Sequence, residues 1–269
     1  MTQRNNNFNA ARQGWKIMLT AAAVGMMLAL TGCTGRDVPV DELLNRAVDC
    51  GRSGNWQSCE ENALAVLKKD PLNTHALLLR SLAAEHLGKN DVALSSARQA
   101  AENAPGDFAV QYSYGRLLAL KPGRAKEAIQ VLERALKLRP GNRNTLILLG
   151  QCGSQINSDK TIEYYMALPE TVRRQPEIQT RIAIYYLDRR DQHKRNLDLA
   201  LRALANAYNT APDNPVIVLN LALFLDHQGF SKRKAVAFYE RYLNLTRQNP
   251  ELNSTRAQVK SRISVLRGR

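Results

Sequence analysis

The sequence repeats itself about every 34 residues, and that period restricts the folds open to it. Asp70-Pro71-Leu72-Asn73, Ala104-Pro105-Gly106-Asp107 and Arg139-Pro140-Gly141-Asn142 are versions of one phrase, with prolines 34 and 35 residues apart. Ala211-Pro212-Asp213-Asn214 comes 72 residues later, close to two periods, and Asn249-Pro250 follows 38 after that. Between the prolines, small and apolar residues recur in matching places. Leu77 and Ser81, then Gly88, then Ala93, Ala97 and Ala100 precede Pro105. Gly115, then Pro122-Gly123, then Ala128, Leu132 and Ala135 precede Pro140. Each set reads as two helices across a turn, one stripe of each helix facing inward. Small residues let paired helices approach closely, and the proline ends the second helix because it cannot extend the hydrogen-bond ladder.

A helix–turn–helix unit of this length, closed by a proline, resembles the tetratricopeptide repeat. Residues 40–73 hold Leu43, Ala47, Gly54, Trp56, Cys59 and Ala63 in register. Residues 176–214 keep Ala183, Tyr186, Ala200, Leu204 and Ala207, with extra turn residues around Gln192 to Asn196. Residues 215–249 keep Leu221, Ala222, Gly229, Ala235 and Tyr239. Residues 143–174 keep Leu146, Leu149 and Gly150, but Thr161 to Tyr165 makes a weaker second helix. The resemblance implies an all-α fold: a right-handed α-solenoid of about five units over residues 40–250. A basic capping helix over 251–269 follows, with Val259, Ile263, Val265 and Leu266 as its apolar members. It also implies a groove lined by the first helices. The groove places fall on Leu78 and Leu82, Tyr112 and Arg116, Ile147 and Gln151, Thr180 and Ile184, and Leu219 and Leu223. Glu85, His86, Asp226 and His227 continue it. Such a groove is expected to be apolar and to take a helix or extended segment of a protein partner.

The N-terminus carries a second signal. Arg4, Arg12 and Lys16 precede Ile17 to Leu30, a run of 14 residues without a charge. That is short of the ~20 apolar residues of a spanning helix and fits the apolar region of a secretory signal. Leu30-Thr31-Gly32-Cys33 closes it and resembles the lipobox of bacterial lipoproteins. The resemblance implies removal of residues 1–32, covalent lipid on Cys33, and a lipidated tether over 33–39. Two or more acyl chains give stable anchoring. Thr34 is not an acid, which resembles the class sorted to the outer membrane, facing the periplasm. An ordinary secretory signal or a buried N-terminal helix are the alternative readings.

Charge is distributed unevenly. Residues 33–170 hold 17 basic and 16 acidic side chains, and residues 171–269 hold 18 and 8. A basic patch is expected from Arg189, Arg190, Lys194, Arg195, Lys232, Arg233, Lys234, Arg256, Lys260 and Arg262. It either favours anionic lipid or glycan or is a solvated helix face; nucleic acid is not an expected partner of an exported chain. Cys50 and Cys59 flank the Gly54 turn. In an oxidising compartment they are either a disulfide or two small core residues. His75, His86, His193 and His227 show no metal-ligand spacing, and no nucleophile elbow, phosphate loop or zinc-protease helix is present. The expectation is a non-catalytic adaptor with no cofactor besides the lipid, binding a protein partner in envelope assembly. Resemblance to lipid-anchored repeat proteins points to pilus or secretin assembly, with outer-membrane protein assembly or cell-wall hydrolase recruitment as alternatives.

Overall fold

The computed structural model describes residues 38–228 and 231–268. The signal-peptide and lipobox readings, Cys33 included, fall outside the described residues. The described chain runs through α1 (Val40–Arg52), α2 (Trp56–Lys69), α3 (Thr74–His86), α4 (Asn90–Asn103), α5 (Phe108–Ala119), α6 (Ala125–Leu138) and α7 (Arg143–Gln155). It continues through α8 (Thr161–Met166), α9 (Glu170–Arg173), α10 (Pro176–Asp188), α11 (Arg195–Thr210), α12 (Pro215–His227), α13 (Lys232–Leu245) and, after a 3-10 turn, α14 (Asn253–Leu266). These make six antiparallel pairs, α1–α2, α3–α4, α5–α6, α7–α8, α10–α11 and α12–α13, each packed on the next. Five pairs have two full helices. In the fourth, α8 spans only six residues, and Pro169 precedes the short α9. Among the described residues no helix is long and apolar enough to cross a membrane.

The repeated phrase both stops one helix and starts the next. Its last residue is the N-cap of the following first helix: Asn73 accepts from Ala76 N at 3.0 Å, Asp107 from Ala109 N at 2.7 Å and Asn142 from Thr145 N at 3.0 Å. Asn214 does the same for Val216 N at 3.0 Å. Each satisfies an amide that the helix itself leaves without a partner. The turn inside a unit has its own device. Lys89 N donates to Ala84 O at 2.8 Å and Gly88 N to Glu85 O at 3.0 Å, the paired bonds of a left-handed helix stop. Gly88 holds φ at 73°, where a Cβ is strained. Asn157 takes the same role in the fourth unit with φ 52°, asparagine being a tolerated substitute.

Packing depends on small residues where the helices cross. A methyl group on Gly150 would stand 2.4 Å from the Tyr165 ring, and one on Gly115 would stand 2.7 Å from Leu132. Ala47, Ala183 and Ala222 fill the equivalent place in other units and are fully buried. On the second helices, Ala93, Ala128, Ala200 and Ala235 are likewise fully buried. One core cluster runs from Leu77 in α3 to Ile263 in α14, and a second, of Leu43, Val66 and Ala76, joins α1 and α2 to α3, so neighbouring units share their cores.

Cys59 occupies the second-helix crossing place of the first unit and is fully buried. The disulfide expectation is corrected here, because Cys50 and Cys59 are both free thiols. The Cys59 sulfur lies over Gly51, 3.6 Å from where a Cβ would be, and its thiol donates to Leu79 O at 3.9 Å. Cys50 is one residue, about 100°, around α1 from that contact. Cys59 therefore serves as a small packing residue.

Gly150→Ala should destabilise the array by about 1–3 kcal/mol, because the fully buried Tyr165 ring has nowhere to move. Gly106→Ala meets no atom within 4 Å and should be near neutral. Urea denaturation of the two variants checks this, and equal midpoints would refute the crossing argument.

Candidate functional site

The first helices α3, α5, α7, α10 and α12, with α14 beyond them, form one face, and their outward residues line the candidate groove. Leu82, Ile184 and Leu223 are 39, 43 and 37 % exposed. Leu78, Tyr112, Ile147, Gln151 and Leu219 are half-buried on the same face. Arg116 and Gln151 hold the equivalent places between Leu82 and Ile184, so the adjacent exposed apolar pair is Ile184 and Leu223, and contiguous apolar surface is what marks binding sites.

Other expected groove residues have partners that a single unit does not reveal. Arg116 reaches back one unit to Glu85: Nη1 donates to Oε1 at 2.6 Å and Nη2 to Oε2 in a two-pronged bond. Both side chains are more than two-thirds buried. The guanidinium holds the Glu85 carboxyl below the usual range, against the opposing effect of burial. This pair interrupts the groove expected to be apolar. His86 stacks flat on Trp56 with ring centroids 3.8 Å apart. Thr180 is buried and donates to Pro176 O at 2.7 Å, so it belongs to its own helix rather than to the open face. Asp226, with its side chain 2 % exposed, accepts from Tyr239 Oη at 2.9 Å and from Arg262 Nε and Nη2 at 2.7 and 2.8 Å. Arg262, then Tyr239, lower its pKa.

The last pair places α14 where the first helix of a further unit would sit. Val259 and Ile263 are buried there. A cleft of about 240 Å³ lies between α12 and α14, lined by Leu219, Leu223, Val259 and Arg262 among others. A second cleft of about 160 Å³ lies between α10 and α12, lined by Ile184, Leu187, Leu223, Arg190 and His227 among others. Leu223 and His227 border both. Leu187 and Arg190 were not read as groove residues from sequence. Leu187 stands in its unit where Glu85 and Asp226 stand in theirs, and that register was the available signal.

The basic residues divide into two groups. Arg189 is a buried strut, 5 % exposed. Its Nε and Nη2 donate to Asp159 at 3.1 and 3.0 Å, Nη2 also to Asn157 O at 2.8 Å, and it lies 4.0 Å over the Tyr185 ring. Arg256 donates to Arg247 O at 3.0 Å, and Arg262 holds Asp226. These three are thus removed from the expected patch, because backbone or acidic groups of neighbouring segments engage them. Lys194, Arg195, Lys232, Arg233, Lys234 and Lys260 are exposed, and Arg190 is half-exposed beside Asp191 at 3.9 Å. No group of three or more His, Cys, Asp or Glu among the described residues could hold a metal.

The Glu85 carboxyl is lowered when folded, so its stabilising effect is full above the unfolded carboxylate pKa of about 4.3 and is lost as pH falls through the folded value. Glu85→Gln should destabilise by about 1 kcal/mol at pH 7, the partial exposure of the pair keeping this small. The gap from the parent should begin to narrow as pH falls below about 4.3 and go on narrowing through the folded value. Thermal melts from pH 3 to pH 7 test this, and a constant gap would show that Arg116 does not act through the Glu85 charge.

A family model described as tetratricopeptide repeat matches residues 44–108 and 87–143. Among solved structures, the chain is similar to PilF of Pseudomonas aeruginosa, with 18% identity over 81% of this chain and 97% of that one, and a TM-score of 0.59. PilW, a type IV pilus biogenesis factor, matches with 18% identity over 80% of this chain and 97% of its own, with a TM-score of 0.61. YrrB, a repeat protein with an unusual peptide-binding site, matches with 15% identity over 70% and 93%, with a TM-score of 0.55. At such identities the similarity establishes the fold alone. Residues 44–143 match the tetratricopeptide-repeat family model, and the described residues as a whole share the all-α solenoid fold of these repeat structures.

Proposed function

We propose that the protein is a lipid-anchored, non-catalytic adaptor of the bacterial envelope that holds a protein partner on its first-helix face during pilus or secretin assembly. The exposed Ile184 and Leu223 of neighbouring units, with half-buried Leu219 on the same face, carry the adaptor part of this reading. Apolar side chains left in line on a repeat scaffold are suited to docking the anchors of a partner segment. The pilus part is supported by the fold, since two pilus proteins are matched over nearly their whole lengths. The anchor part is supported by Leu30-Thr31-Gly32-Cys33. In this reading Cys33 bears the lipid and the protein sits at the outer membrane, facing the periplasm. The seven residues 33–39 reach at most about 25 Å, so the array works close to the membrane surface.

Leu82→Glu together with Leu223→Glu should abolish capture of the partner while helix content by circular dichroism stays unchanged. Capture that survives would move the site off this face. Cys33→Ser should shift the protein from the membrane to the soluble fraction of cells, and continued sedimentation with membranes would refute the anchor. Deletion of the protein in its own host should reduce surface pili and secretin multimers. A strain that keeps both would leave the adaptor without the pilus assignment.

A further inference from the structure

The α10–α12 cleft is lined by apolar side chains together with polar ones, the guanidinium of Arg190 among them. Ile184, Leu187 and Leu223 supply apolar lining, and Arg190 and His227 stand among the same lining residues. Two runs of cations lie close in the chain to these lining residues. Lys194 and Arg195 follow Arg190 closely in the chain and open α11. Lys232, Arg233 and Lys234 follow the lining residue Gln228 and open α13. Four residues of chain span at most about 14 Å, so Lys194 and Lys232 stay within that reach of the cleft. None of these five cations pairs with an acid among the described residues. By contrast, the cations Lys89, Arg116, Lys121 and Lys160 of earlier units are each bonded to an acid. Unpaired cations such as Lys68, Lys126 and Arg143 occur elsewhere on the array, but these five form two runs within chain reach of this one cleft.

We propose that the segment held by the groove is amphipathic and acidic, seating apolar side chains between α10 and α12 while its carboxylates run along Lys194, Arg195 and Lys232 to Lys234. The inference rests on the adaptor reading and adds the chemistry of the partner. The apolar wall selects an amphipathic chain over a simple polyanion, and the free cations select acidic flanks over neutral ones. Charge complementarity of this kind acts mainly on encounter rate and on choice of partner.

The test uses two labelled synthetic peptides with leucines at i, i+3 and i+4, one flanked by glutamates and the other by glutamines. Binding to the full chain is read by fluorescence anisotropy. The glutamate peptide should bind about tenfold tighter in ~0.15 M salt, the combined effect of several exposed charge pairs. The advantage should vanish near ~0.5 M, where screening lengths are only a few ångströms. Replacing Lys232, Arg233 and Lys234 together by glutamate should remove the advantage and leave the glutamine peptide unaffected. That variant is expected to fold, since acids suit the N-terminus of α13 better than cations do. Leu223→Glu should weaken both peptides. Equal binding of the two peptides, both lost in Leu223→Glu, would overturn the acidic preference and keep the adaptor. Failure of both peptides to bind would overturn the proposal. If the triple variant instead changes only sedimentation with phosphatidylglycerol vesicles, the edge is a lipid contact and the acidic-peptide assignment falls.

Discussion

Close approach of paired helices is the constraint from which the rest of this structure follows. Where Gly150 meets Tyr165 and Gly115 meets Leu132, no room exists for even one methyl group. The partner side chains are fully buried, so the crossing points fix the rotation and height of each second helix on its first. Once these are fixed, one pair can bury only part of its apolar surface, and the remainder must be covered by the next pair. The Asn or Asp that closes each proline phrase then sets where the next pair begins. An asparagine that caps Ala76 or Thr145 is therefore also a spacing device between units.

Stacking of this kind leaves one face built only from first helices, and partners of its residues come from the neighbouring unit. The bond from Arg116 to Glu85 spans 31 residues, and the one from Arg189 to Asp159 spans 30. Lys89 to Glu60 spans 29, Lys121 to Asp91 spans 30, and Lys160 to Glu133 spans 27. All are close to the repeat period. Ion pairs that would otherwise be scattered surface contacts thus form a ladder along the array, each tying one unit to the next. Individually exposed pairs contribute little. Their regular placement gives the register between units a polar as well as an apolar determinant.

The repeat architecture was legible because it is carried by residues whose requirements are local. Proline stops a helix, glycine turns the chain, and alanine permits a crossing whatever stands elsewhere. The fourth unit was legible as the weak one, since its second helix lacks the alanine pattern and indeed shortens to six residues. The face residues were legible by position only. Leu82 and Leu223 are exposed as their places imply, but Thr180, in the place that Leu78 and Leu219 hold in their units, turns to its own backbone. The roles of Arg116, Asp226 and Arg189 were hidden because each depends on a side chain about one period away. Opposite charges at that spacing were the available signal. The sequence left Cys50 and Cys59 open between a disulfide and small core residues for a related reason. Their proximity across a turn is real, but the sulfur fills the crossing place that alanine fills elsewhere.

The charge asymmetry of the chain gains a structural meaning from the ladder. In the nearly neutral N-terminal part, acids and bases occur in similar numbers, and cations such as Lys89, Arg116, Lys121 and Lys160 are taken up by bonds between units. In the C-terminal part bases outnumber acids by 18 to 8, so the same ladder cannot absorb them. Asp159 is used by Arg189, Asp213 by Arg241, Asp226 by Arg262 and Glu240 by Arg267. The cations at the starts of α11 and α13 are left over. Placed at helix N-termini, they oppose the helix dipole and stabilise neither helix. Lys194 and Arg195, and Lys232 to Lys234, stand a short stretch of chain from Arg190 and Gln228, which line the cleft that Leu223 borders.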